Sequence, residues 1–221
     1  MRRRVLSFAI LWAVVAAAPS LIVGKELLDR VAITIGLDVI TEQEIYEQLR
    51  IASFLEGQPP EATQQKLREV ADRMVMQRLV LVDMKANGFP PPTKEEMQAA
   101  LQSSWQQHWG SRQAFLEAAA KAGLKEETID TFLSGMVATM KYIDFRFRPS
   151  VRVSDTAVFE LYEDRYPVPA TANAPEPPAF EDVRQQLEDE LRSGEVDVVL
   201  ERWLEDARNR AGVRYLPEVL P

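Results

Sequence analysis

The chain has 221 residues, 34 acidic against 26 basic, and a formal net charge of −8, which argues against nucleic-acid binding because phosphate neutralisation supplies most of that affinity. With no cysteine and a single histidine, it has no material for disulfides, thiolate chemistry, a cysteine metal site or a multi-histidine centre. Stability must therefore come from packing, and the length suffices for a sizeable core.

In chain order, Arg2, Arg3 and Arg4 form a basic start, followed by an uncharged apolar stretch, Val5 to Gly24, with small residues Ala16 to Ala18 and Pro19 near its end. That order is the pattern of a secretory signal, and residues 1–24 are read as one, with cuts after Ala18, Ser20 or Gly24 considered. An uncleaved anchor is the competing reading, since about 20 apolar residues can just span a bilayer. In either case the remainder lies outside the inner membrane, so the location expected is periplasmic. Contact with the membrane is expected only through this segment, if it is kept.

Val31, Ile33 and Ile35 alternate with Ala32 and Thr34, the period of a short strand. Thr41 and Glu44 have the spacing of a capping box, which opens a helix over 42–55. A second helix is expected over 61–86; its half MVMQRLVLVDM is apolar nearly all round, which predicts the most buried position. Thr93 and Glu96 repeat the capping box for a third helix reaching about Trp109, and Gly110-Ser111 opens a fourth that ends at Gly123. The fifth starts near Glu126 and carries Ile129, Phe132, Leu133, Met136, Val137, Met140 and Ile143 at three-and-four spacing before Pro149. Ser154-Asp155 caps a short sixth helix.

Residues 167–178, PVPATANAPEPP, hold five prolines and read as an extended linker. A long charged helix follows from Phe180 to Arg210, in which Gly194 is a candidate kink, and Val213 to Leu216 form a last strand. Strands are expected only at the two ends, and isolated strands are marginal, so 31–35 should pair with 213–216. The organisation is then residues 1–24, an N-terminal region over 25–166, the linker, and residues 179–221 completing the same domain.

The runs DRVAITIGLDVITEQEI, LREVADRMVMQRLVLVDMKANGF and PTKEEMQAAL, with PAFEDVRQQLEDELRSGEVDVVLERWLEDARNRAGVRYL at the other end, resemble the SurA family of envelope chaperones and its PpiC, PpiD and PrsA relatives. The resemblance implies a mainly α fold, an irregular multi-helix chaperone core whose terminal strands pair. It also implies an ATP-independent holdase for unfolded or partly folded envelope and outer-membrane proteins. Two features depart from the family. Gly36-Leu37-Asp38 stands where relatives commonly carry an Asn-Gly type turn, and the proline-rich linker is too short to be the parvulin-type isomerase domain usual at that position.

No catalytic residues, metal ligands or cofactors are expected. His108 has no second imidazole to work with, and Glu95/Glu96, Glu126/Glu127 and Glu181 to Glu190 read as helix-start or solvated carboxylates. Candidate client-binding residues are apolar: Trp105, Trp109, Phe115, Met136, Met140, Phe145 and Phe147. Methionine repacks around varied partners, and an open apolar groove needs no sequence code. An adaptor for one folded envelope partner and a residual prolyl isomerase are the alternative functions.

Overall fold

A computed structural model describes residues 29–167 and 177–218. The apolar N-terminal segment and most of the proline-rich linker lie outside the described residues. The fold is mainly helical, with seven α-helices and one small antiparallel sheet among the described residues. Strand β1 (Val31–Ile35) turns at Gly36, where φ is +60°, into β2 (Asp38–Thr41). Helices α1 (Glu42–Leu55), α2 (Gln64–Ala86), α3 (Lys94–His108), α4 (Arg112–Lys121) and α5 (Glu126–Phe147) follow, then α6 (Asp155–Arg165), α7 (Phe180–Ala211) and β3 (Arg214–Tyr215).

Local chemistry sets most helix starts. Thr41 and Glu44 form the reciprocal capping box of α1, and Thr93 and Glu96 that of α3. Thr63, Ser111 and Ser154 each accept the backbone N–H three residues on, opening α2, α4 and α6. α2 therefore begins at Gln64 rather than at Glu61. At the other end of the chain, Gly212 adopts the left-handed conformation that stops α7.

The terminal strands pair as expected: Ile33 faces Tyr215 and Thr34 faces Arg214, with Leu216 N–H donating to Ala32 O at 2.8 Å. The sheet order β2-β1-β3 includes a third strand beyond the two that the alternation predicts. β2 hides because Gly36-Leu37 alone makes the turn, and only Ile40 of its four residues is buried. β1 thus lies in the centre, with Ala32 and Ile33 fully buried.

Around that sheet the main core gathers Ile45 and Leu49 of α1, Val70 to Leu79 of α2, and Val196, Leu200, Leu204 and Ala207 of α7. α7 is one helix through Gly194, the candidate kink, which is exposed with open space around the position of a Cβ. α2 is heavily buried but not all round; Val82 is exposed. A second core joins Ile51 of α1 to Phe115 and Ala119 of α4 and Ile129 and Leu133 of α5. The third packs Val80 and Met84 of α2 on Ala138 and Tyr142 of α5.

Charges on α7 act as clasps. Arg165 of α6 forks onto Glu190 at 2.5 and 2.7 Å, Arg184 reaches Asp155 at 2.6 Å, and Arg148 reaches Asp189 at 3.0 Å. The Tyr215 hydroxyl donates to the Asp72 carboxylate of α2 while Arg68 lies 4.2 Å over its ring. Burial first, and the Asp72 carboxylate second, push the Tyr215 hydroxyl well above its ordinary pKa.

Two substitutions check this account by urea unfolding. Gly194→Ala should stabilise the chain by about 1 kcal/mol, because a methyl group on an exposed helix position meets nothing and glycine is the poorer helix former. Tyr215→Phe should destabilise it by about 1 kcal/mol, the typical worth of a partly exposed hydrogen bond to a carboxylate.

Candidate functional site

Helix α5 carries two apolar stripes rather than one. Ile129, Leu133, Ala138 and Tyr142 enter the second and third cores. Phe132, Met136, Met140 and Ile143 recur at helical spacing on another face and line an apolar groove. The facing walls come from Val70, Arg73, Met74, Met76 and Gln77 of α2 and from Gln48 and Ala52 of α1. Ala52 gives the α1 wall only a methyl group. The groove has a volume of about 240 Å³ and opens to solvent, with Met136 39% and Met140 62% exposed.

Its polar side chains are Gln48, Arg73, Gln77 and Thr139. Thr139, buried in the wall, donates to Gly135 O at 2.7 Å. At one end the floor runs on into a wider, polar extension of about 540 Å³, which shares Gln48, Met74, Gln77 and Phe132 and adds Glu44, Glu47, Arg78, Glu127 and Thr131. Arg78 bridges Glu44 at 3.3 Å and Asp38 at 3.4 Å.

Of the seven residues expected to bind clients, the structure brings only Met136 and Met140 into the groove. Phe115 is fully buried in the second core, between Phe54 and Trp109, and Phe147 is buried against Trp203 at 5.6 Å. Neither can meet a partner at the surface, which corrects the expectation for both. Trp105 and Trp109 are half-buried over the second core, Trp109 stacking 4.6 Å from Phe54. Phe145 is 61% exposed but sits outside the groove lining, against Phe89 at 4.9 Å and Tyr142. Phe132, Met76 and Ile143 were not singled out from sequence as site residues; the signal available was the second stripe of α5, which the combined three-and-four pattern concealed.

Several of the polar candidates take structural partners. Glu96 caps α3 and binds Lys141 of α5 at 2.6 Å. The Lys141 hydrogen bond first, then the Thr93 N–H, hold the Glu96 carboxyl below the usual range. Glu126 pairs with Arg112, and Glu188 with Arg192. Asp130, by contrast, is pushed up by desolvation and then by neighbouring Glu126. His108 is exposed, edge-on to Trp109. Tyr142 donates to Asp83 at 2.7 Å and accepts from Asn87 at 2.8 Å, while Arg146 pairs with Asp83 at 2.8 Å. Among the described residues no cluster of three or more His, Asp or Glu is placed to hold a metal ion, and no helix is long and apolar enough to cross a membrane.

Fold and groove together define a mainly helical protein, closed end to end by a small sheet, with an apolar trough between α1, α2 and α5. No family model and no curated protein sequence matches the chain.

The Glu96 contacts set a pH dependence. A carboxyl depressed in the folded state adds stability above its ordinary pKa of 4.5, and that stability is lost as pH falls through the folded value. Glu96→Gln should therefore be less stable than the parent at neutral pH. In urea titrations at successive pH values, the gap should narrow below pH 4.5.

Proposed function

We propose that the protein is an ATP-independent holdase of the cell envelope, a SurA-like chaperone core without an isomerase domain. It shields unfolded envelope or outer-membrane proteins in the periplasm after its own export by the N-terminal segment. The observation that carries this reading is the open apolar groove, floored by Phe132, Met74, Met136 and Met140. Monomeric soluble proteins seldom leave contiguous apolar surface open without a use for it. Four methionines line it, counting Met76, and unbranched thioether side chains can repack around segments of different shape.

The chemistry around the groove supports binding over catalysis. Its one wall hydroxyl, Thr139, is tied to the backbone, and of the carboxylates singled out as candidate acids, Glu96 holds lysine while Glu126, Glu188 and Glu190 hold arginine. Weak reversible contact is enough for a holdase, because a binder that prefers the unfolded state withholds it from aggregation. Clients would lose apolar area to the methionine floor and regain it in water on release, with no nucleotide needed.

Light scattering tests the proposal. A denatured outer-membrane protein diluted from urea should aggregate more slowly with a stoichiometric amount of this chain. Met136→Glu/Met140→Glu should lose most of that protection, because a client segment would have to desolvate two carboxylates. Both positions are exposed, so the variant should keep the parent's far-ultraviolet circular dichroism. Unchanged aggregation in the presence of the unaltered chain would sink the reading.

A further inference from the structure

The groove carries a charge bias at one end, and this bears on which segments it takes, given the client-binding role proposed above. The polar extension is continuous with the apolar floor through Gln48, Met74, Gln77 and Phe132. Four charged side chains line it: Glu44, Glu47, Arg78 and Glu127. Arg78 is the one cation, and it is held by Glu44 and Asp38. Glu44 also accepts from Thr41 N at 2.8 Å in the capping box. These contacts leave Glu47 of α1 and Glu127 of α5, both exposed and without an ion-pair partner among the described residues. The α5 dipole offsets part of the Glu127 charge; Glu47, in mid-helix, has no such compensation. A segment leaving the methionine floor in this direction therefore passes between carboxylates that have no ion-pair partner among the described residues and are supplied by two different helices.

We infer that the groove selects apolar segments followed by lysine or arginine. The apolar side chains lie on Phe132, Met136 and Met140, and the cationic end sits in the extension between Glu47 and Glu127. Segments with an acidic end are turned away by the same two groups. Both contacts are solvent-exposed, so the selection acts chiefly at low ionic strength and fades as the Debye length shrinks below about 10 Å.

Three fluorescent peptides with one apolar sequence and tails of three lysines, three serines or three glutamates test this by anisotropy on the full chain. At low salt the lysine-tailed peptide should bind about tenfold more tightly than the glutamate-tailed one. In Glu47→Gln/Glu127→Gln that ratio should shrink to about twofold. In Glu195→Gln/Glu205→Gln, which removes the same charge from α7, it should persist. Equal binding of all three peptides would overturn the inference, as would an equal collapse in the α7 variant, which would assign the effect to net charge alone. Suppressed aggregation with equal peptide binding strikes only the charge selection; no peptide binding together with unchanged scattering removes the holdase reading as well. Concentration-dependent dimerisation abolished by Met140→Glu would give the groove to a second copy of the chain and overturn the inference too.

Discussion

The fold depends on bringing β3 and α7 back to β1. Ile33 and Ile35 are apolar residues on a strand that α1 and α2 cover only in part; Leu200, Leu204 and Ala207 of α7 share their core. A five-residue strand with one hairpin partner is marginal in water, so the second partner, β3, and the helix that delivers it have to arrive together. Tyr215 then locks the seam to α2 through Asp72. The contacts closing the core are separated by most of the chain, and the loop-closure entropy they cost is offset by a long helix that packs along its whole length. The ion pairs from α7 to Asp155, Arg165 and Arg148 extend that packing beyond the apolar stripe.

That closure leaves α5 exposed along one side. α7 covers the sheet and the end of α5 near Phe147, and α3 and α4 cover its first half through Phe115 and Leu133. Among the described residues Met136 and Met140 stay partly open to solvent, with the stretch of α1 and α2 that presents Ala52, Gln48 and Gln77 opposite them. The groove thus arises from three separate cores, each anchoring one part of α5, with the stripe between them left open. A single merged core would have buried the methionines and removed the apolar surface on which the functional proposal stands.

Much of this was legible in the chain because it is local. Thr41-Glu44, Thr93-Glu96, Ser111 and Ser154 announce helix starts through backbone chemistry within one turn, and the structure begins α1, α3, α4 and α6 there. The pairing of the terminal strands followed from the absence of any other obvious strand. β2 escaped because Asp38 is a poor strand former and the turn before it is only two residues long. The site was less legible. Phe145 and Phe147 look alike in DFRFRP, yet two residues along a helix face nearly opposite ways, so one meets solvent and the other Trp203. The charged face of α7 read as solvated, whereas it fastens α6, since an arginine's partner 25 or 29 residues away leaves no periodic trace.

Gly135 explains how the apolar and polar parts of the groove can be joined yet distinct. A Cβ at this position would fall within the van der Waals envelope of Gln77 Nε2, so the missing side chain is what lets the Gln77 amide lie across α5. Gln77 borders the methionine floor and the acidic extension alike, and its amide stands where one passes into the other. A partition of this kind costs little to move, because the contact is with the far end of a flexible side chain rather than with backbone. A segment crossing from floor to extension would meet an amide able to donate and accept on both sides, instead of an apolar wall that would strand its peptide groups. The small residue in α5 and the long polar one in α2 therefore fit together as a pair at the border of floor and extension.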